Sequence, residues 1–164
     1  MPSFVHLHLH TEYSLVDGAL RIDSERRDDG SVAREGLVDA CARMGMPAVA
    51  VTDQVNLFAL VKFYRAALSR GVKPLVGVDL MLREDGERAE PSRLTLLCQD
   101  ETGYLNLTRL VTRAYLEGQG RHGPTIERGW LDAGAAAGLV ALSGGRDGDV
   151  GRALLAGRED EAAR

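Results

Sequence analysis

The sequence has few of the features that mark exported, membrane-bound or disulfide-stabilised proteins. Its two cysteines, Cys41 and Cys98, lie far apart without a CxxC pair, so neither a disulfide framework nor a cysteine zinc site is predicted. No basic segment followed by a long apolar run opens the chain, and no stretch approaches the roughly 20 apolar residues that span a membrane. We therefore expect a cytoplasmic protein without membrane partners.

An excess of basic residues is also absent. The chain has 20 lysines and arginines against 24 acidic residues, a net charge of −4. Binding the phosphate backbone of DNA needs a positive surface, so this segment is not predicted to be a major DNA-binding platform. With 164 residues and 45% hydrophobic content, it is predicted to form a single globular domain.

Histidine is scarce, yet three of the four histidines lie at alternate positions, as His6, His8 and His10. In a β-strand these imidazoles share one face, about 7 Å apart, and Val5, Leu7 and Leu9 form an apolar stripe on the other. Because histidine is the commonest metal ligand, the pattern predicts a strand whose imidazoles bind one or two divalent ions. The alternative is a half-buried strand with polar residues facing water.

Strand and helix patterns alternate along the rest of the chain. Strands are predicted at 48–51, 74–79, 94–98 and 138–142, and helices near 37–44, 57–68, 104–114 and 150–154. This alternation predicts an α/β fold with parallel strands, in an open sheet or a barrel. The charged stretch 21–35 is predicted to be an exposed loop or a ragged helix start. Residues 84–87 are predicted to be a turn, and His122 an exposed loop residue.

Polar residues gather at the carboxyl ends of the predicted strands, where α/β proteins place their sites. They are His8, His10, Asp53, Gln54, Asp79 and Ser143. Asp53 comes directly before a helix, so helix capping and site chemistry are equal alternatives for it. For Asp79, a role in the site is favoured.

Several blocks of the sequence together resemble one known family. They read HLHLHTEYSLVDGALRI, GMPAVAVTD, NLFALVKFY, GVKPLVGVD, LTLLCQDETGYLNL and LSGGRDGDVGRALL. They are similar to the N-terminal polymerase-and-histidinol-phosphatase (PHP) domain of bacterial replicative C-family polymerases, the DNA polymerase III alpha subunits. The resemblance implies that residues 1–164 are the N-terminal part of one PHP domain. Its fold is then part of a distorted (β/α)7 barrel, truncated at the C-terminus.

The resemblance also implies a set of metal-ligand positions. Relatives that bind metals take ligands from HxH, a following acid, the histidine of TDH, a glutamate after GV or GI, the cysteine of SGC and a later DxH. Here His8, His10 and Asp17 are retained. Gln54 replaces the TDH histidine, Asp79 replaces the glutamate, and Gly145 stands in place of the cysteine. Asp53 is a candidate supporting residue behind these positions.

These replacements weaken the predicted centre. An amide is a poor ligand for zinc, glycine offers no side chain, and aspartate is one methylene shorter than glutamate. We therefore expect a non-catalytic scaffold domain with a degenerate Zn²⁺ or Mn²⁺ site, or histidines that only form a hydrogen-bonded network. The alternative is a metal-dependent phosphoesterase or 3′–5′ exonuclease.

Further expectations concern the parent polymerase. The resemblance implies Mg²⁺-dependent DNA synthesis, with catalytic residues and DNA contacts in domains downstream of this segment. It also implies a proofreading exonuclease subunit and other replicative holoenzyme subunits as partners. No catalytic residue is assigned within the chain itself.

Overall fold

The computed structural model describes residues 4–83, 90–121 and 123–163. The predicted turn at 84–87 and His122 lie outside the described residues. Internal contacts divide the chain into two compact units, Met1–Gly77 and Val78–Arg164. The single domain expected from the sequence stays a prediction.

The first unit places a parallel strand pair beside two helices. Its elements are a 3-10 helix Glu12–Ser14, strands β1 (Glu25–Arg26) and β2 (Val32–Arg34), helix α1 (Leu37–Arg43), strand β3 (Ala48–Val51), helix α2 (Leu60–Ser69) and the start of β4 (Lys73–Arg83). β1 and β2 pair antiparallel as an exposed hairpin. β3 pairs parallel with β4, from Ala48 opposite Lys73 to Val51 opposite Val76.

The core of the first unit surrounds β3. All four residues of β3 are buried, as expected of a parallel strand covered on both faces. α1 contributes Leu37, Val38 and Cys41, and α2 contributes Phe63 and Ala67, all in one apolar cluster. The carboxyl end of β3 is thereby packed against both helices, and this packing positions the residues that follow Val51.

The second unit begins with the last six residues of β4. Its other elements are β5 (Ser92–Cys98), α3 (Glu101–Glu117), β6 (Gln119–Gly120), β7 (Gly123–Pro124), β8 (Ile126–Glu127), β9 (Leu139–Leu142), α4 (Asp149–Leu155), α5 (Glu159–Ala162) and 3-10 helices Arg128–Trp130 and Gly145–Asp147. β5 lies next to β4 and pairs antiparallel with β9, and β8 pairs parallel with the end of β4.

Helix α3 is fixed at its first turn. Asp100 caps it by accepting a hydrogen bond from the Gly103 backbone nitrogen at 2.9 Å, as its position before the helix predicts. A Cβ at Gly103 would lie 1.8 Å from the Gly138 carbonyl oxygen. Glycine therefore allows α3 to approach the chain just before β9, and the helix buries Leu107, Leu110 and Ala114.

The predicted α/β class is confirmed, and so is the strand at 48–51. Pairing is mixed, because β5 and β9 run antiparallel while β3, β4 and β8 pair in parallel. The loop predicted at 21–35 instead contains the β1–β2 hairpin. Among the described residues, no helix is long and apolar enough to cross a membrane.

The predicted strand through the histidines is wrong. The segment 4–10 lies beside β3 but does not form a β-strand. Its backbone bonds to that strand run from the Ala50 nitrogen to the His6 oxygen and from the Thr52 nitrogen to the Leu9 oxygen. Three steps along the histidine segment therefore match two steps along β3, which breaks the regular ladder as a bulge does. Leu7 is 41% exposed, so the expected apolar stripe is not continuous.

Candidate functional site

Two histidines, an aspartate and a glutamine come together at the carboxyl end of β3. The His8 and His10 rings lie with their centroids 4.9 Å apart. His10 Nδ1 is 3.0 Å from Asp17 Oδ1, and Gln54 Nε2 donates to Asp17 Oδ2 at 3.1 Å. Within the first unit, the structure thus joins three of the predicted site residues, His10, Asp17 and Gln54, in one chain of hydrogen bonds, with His8 beside His10.

Asp53 lies beneath this group and is 1% exposed. Its Oδ1 accepts hydrogen bonds from the Thr11 nitrogen at 2.6 Å and the Ser14 hydroxyl at 2.7 Å, and its Oδ2 accepts one from the Thr11 hydroxyl at 2.7 Å. The residue before α2 that serves as its N-cap is Ala59. The capping alternative for Asp53 is therefore wrong, because its carboxylate holds the chain that follows His10.

Ser14 and Asn56 extend this buried network. The Ser14 hydroxyl accepts a hydrogen bond from the Gln54 nitrogen at 3.2 Å. Asn56 Nδ2 donates to the Tyr13 and Gln54 carbonyl oxygens at 3.1 and 2.9 Å. Ser14 is 4% exposed and Asn56 6%. Sequence reasoning did not single out either residue, since neither is an implied ligand and the contacts that link them to distant parts of the chain span about forty positions.

Two residues next to this network have a backbone conformation that residues other than glycine rarely adopt. Leu15 has φ of 56° and Val55 has φ of 48°. For bulky and β-branched residues, positive φ is a genuine outlier and costs of order 1–3 kcal/mol. Leu15 follows Ser14 and Val55 follows Gln54, so both strained positions flank residues of the network.

Asp79 lies in the second unit, on β4, and is 2% exposed. Its Oδ1 accepts a hydrogen bond from the Thr95 hydroxyl at 2.5 Å, and its Oδ2 lies 3.5 Å from Arg93 Nε. Arg93 Nη1 also lies 3.7 Å from Asp147 Oδ2. Sequence patterns do not single out Arg93, because a basic residue in a strand pattern does not reveal which carboxylate it contacts.

Gly145 occupies the position where the resemblance implies a cysteine. It begins the 3-10 helix Gly145–Asp147 with φ of 60°, and a Cβ built there would meet no heavy atom within 4 Å. Space for a side chain is present, but the left-handed backbone strains any residue except glycine. At the neighbouring Gly144, a Cβ would lie 2.2 Å from the Arg93 carbonyl oxygen.

Within the first unit, the implied ligand positions supply two imidazoles, one carboxylate and one amide. His8 and His10 retain imidazoles that bind divalent cations, and each oxygen of Asp17 has a polar partner. In the second unit, Asp79 supplies a buried carboxylate that a hydroxyl and a guanidinium contact, whereas Gly145 supplies no side chain. Imidazole and carboxylate groups are zinc ligands, and the amide of Gln54 is a poor one.

The cysteines provide no reactive group. Burial, together with the nearby Asp100 carboxylate, raises the pKa of the Cys98 thiol to about 11. Burial also raises the pKa of Cys41, which packs in the core of the first unit. Since the thiolate is the form that attacks and binds metals, both residues act as packing residues.

Comparison with known families shows which family the chain belongs to. The model of the PHP domain matches residues 6–164. The chain belongs to the PHP domain family. This PHP domain is 48% identical over 160 residues to DNA polymerase III subunit alpha of Pseudomonas aeruginosa, with 98% of the chain and 12% of that relative covered. It is 46% identical over 156 residues to the protein of the same name from Escherichia coli K12, covering 95% and 12%.

The resemblance to replicative polymerases inferred from the sequence is thus confirmed, and the PHP domain spans about an eighth of the length of these relatives. Among solved structures, it is similar to an amidohydrolase from Chromobacterium violaceum with bound sulfate and no metal. The identity is 21% and the TM-score 0.48, with 68% of this chain and 33% of that chain covered.

Proposed function

We propose that this chain is a scaffold PHP domain of a replicative DNA polymerase alpha subunit and that it does not hydrolyse phosphodiesters itself. The observation that carries the proposal is the hydrogen bond from Gln54 to Asp17. An amide there replaces the imidazole that the resemblance implies for a metal-binding relative, and it uses the carboxylate oxygen that a metal would need. The strained loops and the Asp53 network then serve to hold the fold.

The parent protein would carry out DNA synthesis in the cytoplasm. Two Mg²⁺ ions held by acidic residues outside this segment would serve nucleotide transfer. The net charge of −4 supports DNA contact through other domains of the polymerase. The names of the relatives support this assignment, and no catalytic residue of polymerisation is assigned to the chain.

The metal positions are proposed to be remnants. They are His8, His10, Asp17, Gln54 and Asp79, with Asp53 as their support. If an ion binds, zinc or manganese would suit the two imidazoles, at reduced affinity. Binding would be structural, because the remaining donors do not complete a centre that activates water.

A proofreading exonuclease subunit is the proposed partner, along with other holoenzyme subunits. One surface of the first unit that suits a protein partner is the α2 stripe, formed by Phe58, Val61, Tyr64 and Leu68, whose exposed fractions are 69%, 63%, 47% and 56%. The spacing of Val61, Tyr64 and Leu68 places these three along one side of α2, and Phe58 lies in the turn that leads into the helix. A row of large exposed apolar side chains marks an interaction surface, and we assign it to the exonuclease subunit.

Docking is tested by measuring the affinity of the polymerase subunit for the exonuclease subunit. The double variant Phe58→Asp, Val61→Asp is expected to weaken binding at least about tenfold. Leu116→Asp is the control, because Leu116 is 78% exposed on α3. Unchanged affinity in the double variant, with a loss of polymerase stability instead, would mean that the parent chain itself covers the stripe.

A second candidate function is a metal-dependent phosphoesterase or 3′–5′ exonuclease. The close His8 and His10 rings and the His10–Asp17 contact favour it. The test is a nuclease assay on the intact polymerase subunit, free of the separate exonuclease and supplied with Mn²⁺ or Zn²⁺. The scaffold proposal expects no hydrolysis above that of a His10→Ala variant. Turnover that His10→Ala abolishes would replace the scaffold proposal with the enzymatic one.

A further inference from the structure

The second unit contains a buried carboxylate that is paired with an arginine guanidinium. Asp79 is 2% exposed, and a buried charge is strongly unfavourable unless it is paired and hydrogen-bonded. The Thr95 hydroxyl donates to one carboxylate oxygen at 2.5 Å, and Arg93 Nε lies 3.5 Å from the other. Each oxygen of Asp79 therefore meets a group of complementary polarity.

Arg93 is held in this position by the backbone around it. It stands two residues before Thr95 on β5, so both side chains point to the same face of the strand. Gly144 and Gly148 approach closely, because added Cβ atoms would lie 2.2 and 3.1 Å from the Arg93 carbonyl oxygen. The turn that carries Gly145 is thereby packed against the backbone of Arg93.

The guanidinium also contacts the turn that begins at Gly145. Arg93 Nη1 lies 3.7 Å from Asp147 Oδ2, and Asp147 ends the 3-10 helix that begins at Gly145. Arg93 thus lies between Asp79 and the turn in which the resemblance implies a cysteine ligand. Its positive charge contacts one carboxylate on each side.

We infer that the Arg93 guanidinium balances the negative charge of the Asp79 carboxylate in place of a metal ion. A guanidinium is permanently charged and presents several N–H donors in a fixed fork. A divalent ion on the same carboxylate would be repelled by Arg93, so the guanidinium lowers the affinity of Asp79 for a metal. The inference rests on the proposed assignment of Asp79 as a former ligand position.

The test is amide hydrogen exchange in the full chain, read in peptides from 78–83 and 92–98. Arg93→Met removes the guanidinium from the buried Asp79 carboxylate, and we expect protection in these peptides to fall about tenfold or more. Adding Asp79→Asn to Arg93→Met should recover most of the loss, because a neutral amide needs no cation. Arg93→Lys should keep most of the protection. Arg158→Met is the control, since it breaks a surface ion pair with Glu161, and should change protection less than about twofold.

Manganese alone is the second probe. Millimolar Mn²⁺ is expected to restore protection in Arg93→Met, and to have no effect on the wild type or on Arg93→Met, Asp79→Asn. The inference would be overturned if Mn²⁺ raised protection equally in the wild type and in Arg93→Met. It would also be overturned if the loss of protection in the double variant equalled the sum of the losses in Arg93→Met and Asp79→Asn. These readouts involve neither exonuclease docking nor hydrolysis, so they succeed or fail separately from the proposed function.

Discussion

At the scale of single residues, Asp53 links the carboxyl end of β3 to the chain after the histidines. Its carboxylate accepts hydrogen bonds from Thr11 and Ser14, both of which are buried. Three donors would lose their partner if this carboxylate were removed, and unsatisfied buried polar groups cost about 1–3 kcal/mol each. The Asp53 carboxylate therefore stabilises the fold of the chain that follows His10.

Asp53→Ala is expected to lower the free energy of unfolding by about 3–5 kcal/mol. Denaturant titration of the chain measures this change. Asp28→Ala, at the exposed tip of the hairpin, is the matched control and should change it by less than about 0.5 kcal/mol. Equal effects of the two substitutions would show that the Asp53 network does not stabilise the unit.

Leu15 allows a test of backbone strain without a change in the core. It is 86% exposed, and the Val16 nitrogen bonds to the Ser14 oxygen across it at 2.6 Å. With φ of 56° and ψ of −41°, it forms a classic γ-turn, which is strained for residues other than glycine. Leu15→Gly is expected to stabilise the chain by about 1 kcal/mol.

The neighbouring Val16→Gly is the control for Leu15→Gly. Val16 is 89% exposed and does not have positive φ, so glycine there only adds freedom to the unfolded chain and should destabilise by about 0.5–1 kcal/mol. Thermal or denaturant unfolding gives both values. A loss of stability in both variants would mean that Leu15 is not strained.

At the scale of elements, Asp39 joins the hairpin region to both helices of the first unit. It lies in the first turn of α1 and accepts hydrogen bonds from the Ser24 hydroxyl at 2.5 Å and from Arg70 Nε, at the end of α2, at 2.6 Å. The Ser24 hydrogen bond, followed by that from Arg70, lowers the pKa of the Asp39 carboxyl. These elements are thus held together more strongly when Asp39 is ionised.

This shift predicts a dependence on pH. A carboxyl whose pKa is lowered in the folded state adds stability above its unfolded pKa, about 3.9, and loses it as the pH falls through the lower folded value. The wild type is therefore expected to be more stable than Asp39→Asn at pH 6.5, with the difference shrinking below pH 4. Urea midpoints at several pH values measure this, with Asp28→Asn as the control. A difference that stays constant with pH would contradict the assignment.

At the scale of the whole molecule, sequence patterns predicted the elements that are determined by local contacts or by burial on all sides. The continuous apolar run 48–51 forms a strand because both of its faces are buried. Asp100 caps α3 because capping depends only on nearby backbone groups. The residues His10, Asp17 and Gln54 do meet, as the family pattern implies.

Features that depend on distant neighbours were not predictable. The histidine segment lacks a ladder because its bonds to β3 fall out of register, and alternation alone cannot show register. The partners of Asp53 lie about forty residues before it. Arg93 faces Asp79 only because β4 and β5 are neighbours in the sheet. The positive φ of Leu15 was not predictable, because leucine rarely adopts this backbone conformation.

We propose that this PHP domain has lost its metal centre and acts as a scaffold. The most direct measurement is the zinc and manganese content of the intact protein after equilibration and desalting, compared with a His10→Ala variant. We expect no difference in bound metal between the two. Restoring Gln54→His, Asp79→Glu and Gly145→Cys together should raise metal affinity despite the strain at position 145. One equivalent of metal in the wild type that disappears in His10→Ala would contradict the claim.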